Sequence, residues 1–172
     1  MWRYDPKRLP SYYQQNTLEW VDFRKQPSLY KVGKWEQWVL MVEPYKSEIL
    51  PHRRFKNEDI AKDSSQKLYA QFLWYIAQED FVWADMTRKF IQMWFTRARR
   101  YANHKSWKKY AKNPQDESTK EKEMKARKKY LLPLDPDPEK ARAAAVFKKI
   151  WDKAEKNPRY ANAKTNRKKK YG

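Results

Sequence analysis

Cysteine is absent from the 172 residues, so disulfides and thiolate metal sites are excluded. Histidine is limited to His52 and His104, too few for an imidazole-based zinc site, and no metal is expected. The first thirty residues lack the apolar h-region of a signal peptide. No run approaches the roughly 20 apolar residues of a membrane span. The expected protein is cytoplasmic, has no membrane partner, and is held together by packing alone. Glycine is scarce: the chain has 2, against about 12 from an average usage of about 7%. Tryptophan is abundant instead, at nine residues.

A chain that turns repeatedly needs residues that take φ > 0 without a Cβ clash, a role tryptophan fills badly. Trp35 and Trp38 in Gly33-Lys-Trp-Glu-Gln-Trp38, and Trp107 in Lys105-Ser-Trp-Lys108, stand in polar, turn-like stretches where glycine would read naturally. A gene whose UGA codons encode glycine, translated as though they encoded tryptophan, gives this pattern. The alternative is a truly tryptophan-rich chain that uses its rings as stacking surfaces. A UGG codon at a given position makes tryptophan the encoded residue there.

Forty basic residues oppose twenty-one acidic ones, a net charge of +19. A field of that sign attracts polyanions and disfavours the compact state through self-repulsion. Nucleic acid or another polyphosphate is the expected partner, with a lysine-rich, low-GC proteome as the alternative origin of the charge. The length fits one domain with a core. Charged residues make up 35% of the chain, above the roughly 25% of an average globular protein, so part of it is expected to be solvated tail.

Residues 1–28, punctuated by Pro6, Pro10 and Pro27, read as an irregular arm. From Leu29 to Leu50 the β-branched and aromatic content predicts a hairpin whose second strand is Val39-Leu-Met-Val42. Asn57, followed by Glu58 and Asp59, predicts the start of a helix running to about Glu79, with Ala61, Leu68, Phe72, Tyr75 and Ile76 on one face. Asp80 caps a second helix, Phe81 to about Asn103, with Met86, Phe90, Met93, Trp94 and Tyr101 as its apolar stripe. Residues 29–110 form the expected core of the domain. Residues 111–137 read as a polar linker, at most partly helical. Asp137-Pro138 opens a C-terminal helix over 138–157 with Phe147, Ile150, Trp151 and Ala154 inward, and 158–172 is a basic tail. The expected fold class is α+β, a small N-terminal β-hairpin or sheet packed on two long helices.

The stretch from Tyr30-Lys-Val-Gly-Lys-Trp-Glu-Gln-Trp to Glu48-Ile-Leu-Pro-His52, then Arg-Arg-Phe-Lys56, and the stretch Asp80-Phe-Val-Trp-Ala-Asp through Arg97-Ala-Arg-Arg-Tyr-Ala-Asn-His-Lys105 carry a family likeness. The chain resembles the family catalogued as domain of unknown function 4385, found in bacteria and their viruses. The resemblance covers about residues 21–110 and the C-terminal helix. It implies glycine at Trp35, Trp38, Trp83, Trp94 and Trp107, and an aromatic residue where Arg53 stands. It implies no activity.

Between Arg88 and Tyr110 stand eight basic residues and no acidic one. Arg88, Arg97, Arg99, Arg100, Asn103, His104, Lys105, Lys108 and Lys109 are the candidate phosphate-binding residues, because guanidinium forks suit bidentate phosphate contacts. Tyr101, Tyr110 and His104 are candidates for stacking on bases. A solvated helix face paired with Asp85 and Glu79 is the competing reading. With glycine at Trp35 and Trp38, the run from Gly33 becomes G-x-G-x-x-G, a phosphate-loop pattern between strands, but with no lysine at the expected strand position and no helix directly after it a flexible hairpin turn is the favoured reading. Among Glu43, Glu48, His52, Asp85 and His104, the catalytic candidates are Glu43, His52 and His104, each of which also reads as an ordinary salt-bridge, capping or turn residue. The expected function is binding of nucleic acid or polyphosphate by the second helix and its loop. The alternatives are an enzyme acting on a nucleotide or nucleic acid, and an adaptor for an acidic protein partner. Both a cofactor and the oligomeric state are left open.

Overall fold

A computed structural model describes Phe23 and residues 25–30, 32–33 and 45–171. Among these residues every regular element is helical, which corrects the α+β expectation. Pro27–Leu29 is a 3-10 turn, Tyr45–Ile49 a short helix (α1), and Leu50–His52 a second 3-10 turn, where the two ends of a hairpin were expected. The predicted strand Val39–Val42 lies outside the described residues. The one strand-like pairing among them is an isolated antiparallel bridge between Tyr110 and Leu131. Short apolar segments fit either a strand or a buried helical turn by pattern alone, so tertiary anchors decide. Here the anchor is Glu48 on α1, whose carboxylate accepts from the Tyr75 hydroxyl at 2.9 Å and the Trp83 indole N–H at 2.8 Å.

Helix α2, Glu58–Ala77, starts where its cap predicts, with Asn57 Oδ1 accepting the Ile60 N–H at 2.9 Å. The anticipated face of Ala61, Leu68, Phe72, Tyr75 and Ile76 is buried. Its C-terminus closes as a Schellman motif: Asp80 N–H reaches Tyr75 O at 2.9 Å and Glu79 N–H reaches Ile76 O at 3.2 Å. That motif places Glu79 at φ 56, in the left-handed region that normally takes glycine. Asp80 then caps the next helix, its carboxylate accepting the Trp83 N–H at 3.0 Å, and α3 runs Phe81–Asn103.

The stretch 111–137 includes α4, Lys120–Lys129, capped by Thr119, and α5 follows at Pro138–Glu155, capped by Asp137. Residues expected as an unstructured basic tail form α6, Pro158–Tyr171. Asn157 caps it by accepting the Tyr160 N–H at 3.1 Å, and Tyr160 buries its ring. A short run of polar residues after Asn157-Pro158 reads as a stop, but the same pair also serves as cap and first turn.

Phe55, just before α2, touches Trp94 and Tyr101 late in α3, so α2 and α3 run antiparallel. The start of α5 lies at the end of α3, where Asp137 N–H bonds Ala102 O at 2.8 Å. Its end returns to the start of α3, where Glu155 pairs with Arg88. Helix α3 is therefore the central rod of a three-helix core with α2 and α5, roughly 34 Å long by its rise.

The first half of α3 holds a buried ionic centre. Asp85 and Lys89 are both 0% exposed and Arg88 is 5% exposed. The Asp85 carboxylate receives Arg88 Nε at 3.1 Å, Lys89 Nζ at 3.2 Å, the Tyr160 hydroxyl at 2.6 Å and the Tyr30 hydroxyl. Lys89 also donates to the Tyr30 oxygen at 2.9 Å, and Arg88 reaches Gln92 and Glu155. Burial alone would raise the Asp85 pKa, but the Lys89 and Arg88 charges and the two phenol bonds outweigh it and hold the group below the usual carboxylate range. Burial lowers the Lys89 pKa, partly offset by Asp85. The centre ties α3 to the Tyr30 segment and to α6. Arg167 of α6 closes the same joint by donating to the Tyr30 carbonyl at 3.0 Å and to the Pro27 carbonyl.

Two outcomes follow from these arrangements. Asp85→Asn leaves two buried cations without their counter-charge and should cost about 3–5 kcal/mol in urea unfolding. Because folding depresses the Asp85 pKa, its contribution is complete above the ordinary aspartate value and is withdrawn as pH falls through that value towards the lower folded one. Stability that is flat across the acid range in the wild type but falls in the variant would contradict this. Separately, Glu79→Gly relieves a left-handed backbone and should raise stability by about 1 kcal/mol, read as a higher melting temperature.

Candidate functional site

The acid-free run of α3 divides in two. Arg88, expected at a phosphate surface, is instead buried on Asp85, Gln92 and Glu155. It is not part of the exposed cation set, and neither is Lys89. The reason is the position of Asp85 one helical turn before both, which the spacing i, i+3 and i, i+4 brings into contact.

The remaining cations gather at the C-terminal end of α3. Arg97 lies over the Trp94 ring at 5.0 Å and Arg100 over the Trp107 ring at 5.9 Å. Exposed Arg99 lies over the Phe95 ring at 5.9 Å, and Lys109 over the Tyr110 ring at 5.4 Å. Each aromatic thus supports a cation and limits its rotamers. Lys105 and Lys108 project from the loop as exposed ammoniums. Burial, with the nearby charge of Arg53 adding to it, lowers the Arg97 pKa.

Asn103 and His104 have structural duties. The Asn103 carbonyl, one of the orphan acceptors at the helix end, receives the Asp135 N–H at 3.0 Å. His104 is 5% exposed, and its Nδ1 is buried with no hydrogen-bond partner among the described residues. Burial pushes its pKa down, and the Lys109 and Arg100 charges push it further, so the imidazole is neutral at pH 7. The stacking candidates are also engaged: Tyr101 packs on Phe55 at 5.6 Å, and Tyr110 carries Lys109.

Antiparallel packing of α2 and α3 adds residues that the run in α3 did not predict. Arg53, Arg54 and Lys56, all exposed, sit on the turn that Phe55 docks against Trp94 and Tyr101. The signal in the sequence is the Arg-Arg-Phe-Lys motif, whose single apolar residue is the docking ring. Among the described residues, Arg53, Arg54, Lys56, Arg99, Lys105, Lys108 and Lys109 have no carboxylate at ion-pair distance.

The catalytic candidates do not form one cluster. Glu43 lies outside the described residues, as do Trp35 and Trp38 of the phosphate-loop pattern. Gly33 is exposed, and a Cβ there would meet nothing within 4 Å, so no close approach demands glycine. His52 is half-buried, with burial lowering its pKa, and its carbonyl accepts the Ser64 hydroxyl. Glu48 and Asp85 are taken up by Tyr75, Trp83 and the ionic centre. No group of three or more metal-ligating side chains occurs among the described residues. A cleft of about 320 Å³, lined by Phe23, Pro27, Glu79, Asp80, Phe81, Val82 and Arg167, opens by the start of α3, the end away from the cations.

Of the suspect tryptophans, Trp107 alone among the described ones has the backbone that argues for glycine, at φ 60 beside Ser106 at φ 54. Trp83 and Trp94 are in mid-helix. Trp83 is fully buried and bonded to Glu48, a complete tryptophan role. Trp94 packs on Phe55 and Phe90 but leaves its indole N–H unpaired, a feature shared with Trp151 and so no mark of a misread position.

A helical protein with an ion-pair centre inside one end of its central helix and, at the other, a rim of cations with no carboxylate partner among the described residues is what the fold and site define. The chain belongs to the family described as domain of unknown function (DUF4385), whose model matches residues 12–170. That span is wider than the motifs at 21–110 and the C-terminal helix suggest. No curated protein and no solved structure matches the chain.

Trp107→Gly should leave thermal stability unchanged or raised, because the left-handed backbone offsets the lost ring contacts. Trp83→Gly should cost at least about 3 kcal/mol through its cavity. Equal losses in calorimetry would remove the distinction between the two positions.

Proposed function

We propose that the protein binds nucleic acid or another polyphosphate through the cation rim formed by the turn before α2, the end of α3 and the loop over residues 104–110. The carrying observation is that exposed Arg53, Arg54, Lys56, Arg99, Lys105 and Lys108 and half-buried Lys109, on elements gathered at the C-terminal end of α3, have no carboxylate at ion-pair distance among the described residues. An exposed cation that is not neutralised internally keeps its full attraction for phosphate, and each contact releases condensed counterions from a nucleic acid. Support also comes from the cation–ring pairs, which order guanidinium groups before a ligand arrives and reduce the entropy lost on binding. No base-reading pattern accompanies the rim, so the recognition is of backbone phosphate. Arg88 is left out of the interface because Asp85 and Glu155 hold it inside.

Fluorescence anisotropy over a salt series tests this. Replacing Arg53, Arg99, Lys105 and Lys108 together with glutamine should reduce the slope of log K against log salt by about 3.6, at roughly 0.9 per lost phosphate contact. Glutamine at Lys168, Lys169 and Lys170 should change it less. Absence of any complex with single- or double-stranded DNA or RNA at low salt would refute the proposal.

A further inference from the structure

Resting on that reading of the rim, we infer that the polyanion is a duplex, gripped along its paired phosphate backbones without base stacking. Single-strand binders combine a basic groove with aromatic faces left open for successive bases. Among the described residues of this rim, the aromatic rings are already occupied. Trp94 is buried between Phe55 and Phe90, with Arg97 over it. Phe95 lies between Trp151, at 5.7 Å, and Arg99. Trp107 is half-buried beside Arg100, Tyr110 carries Lys109, and Tyr101 is packed on Phe55. The large exposed ring on α2, Trp74 at 59%, lies near the turn into α3, at the far end from the rim. A base pushed against the rim would have to displace a cation to find a ring, which would remove the phosphate contact that drew it there.

A second observation points the same way. Two backbone bonds, Ala111 N–H to Tyr130 O at 2.8 Å and Leu132 N–H to Lys109 O at 3.0 Å, fasten the end of α4 beside the loop. Helix α4 exposes Lys120, Lys125 and Lys128, which have no carboxylate at ion-pair distance among the described residues. A second set of exposed cations, on α4, is therefore joined to the loop of the rim. Cations spread over two separate elements can meet both phosphate backbones of a duplex, whereas a flexible single strand gains from one continuous track. The shared chemistry is the paired backbone, and DNA and RNA duplexes are its two sources.

The test is a set of anisotropy titrations of duplex DNA, duplex RNA and each separated DNA strand, at one salt concentration, with the full chain. At least one duplex should bind about tenfold tighter than either strand. Lys120, Lys125 and Lys128 changed together to glutamine should lower duplex affinity by about tenfold and move strand affinity by less than about twofold. Tyr110→Leu, which removes a ring face and the support of Lys109 but keeps its bulk, should change strand and duplex affinity by the same factor, with circular dichroism confirming that each variant folds. Strands bound as tightly as duplexes, or weakened more than duplexes by Tyr110→Leu, would overturn the duplex inference while leaving the cation rim standing. Failure of every probe to bind would remove both.

Discussion

Asp85 must neutralise two cations inside the protein, and much of the architecture follows from that requirement. A buried carboxylate, ammonium and guanidinium carry desolvation penalties of several kcal/mol each, repaid only if the remaining hydrogen-bonding positions are filled. Tyr30 and Tyr160 fill them, the first from the N-terminal segment and the second from α6. Glu155 at the end of α5 completes the shell around Arg88. Segments far apart in the chain thus meet because one carboxylate needs all of them. Replacing the whole set with apolar side chains of similar size would often be neutral or stabilising in such sites, so its value lies in specifying which elements join.

The same constraint sorts the basic residues of α3. Near Asp85, cations are consumed by the core. Beyond the reach of that charge, Arg97, Arg99 and Arg100 rest on rings, Arg99 exposed and the other two half-buried. One helix therefore has an end built into the ionic core and an end rimmed by cations. The cleft at Phe23, Glu79 and Arg167 lies by the first of these ends.

Glycine poverty leaves its trace in the backbone. Three non-glycine residues, Glu79, Ser106 and Trp107, have positive φ among the described positions. Glu79 is held there by the Schellman bonds that let α2 turn directly into α3, and that turn is what makes the two helices antiparallel. Without it the Arg53 turn would not lie against Arg97. Strain at one residue is thus offset by the packing that the turn permits.

The helix starts at Asn57, Asp80 and Asp137 were legible in the sequence, because a cap is a local interaction between a side chain and a backbone N–H three residues on. The buried faces of α2 and α3 were legible for a similar reason, since periodicity records burial directly. The family likeness was legible from contiguous motifs. The absence of strands among the described residues was not, because a five-residue helix such as α1 is decided by what Glu48 finds across the core. Nor was helical structure in the basic tail, which depends on burial of Tyr160 against Phe72, Phe81 and Asp85. By itself the sequence determined that this protein is positively charged, free of thiol chemistry and built on long capped helices, all properties of single residues or near neighbours. Only the tertiary structure decided which cations are spent inside and which face outward, because that depends on whether a carboxylate from the same turn, or from another helix, reaches each one.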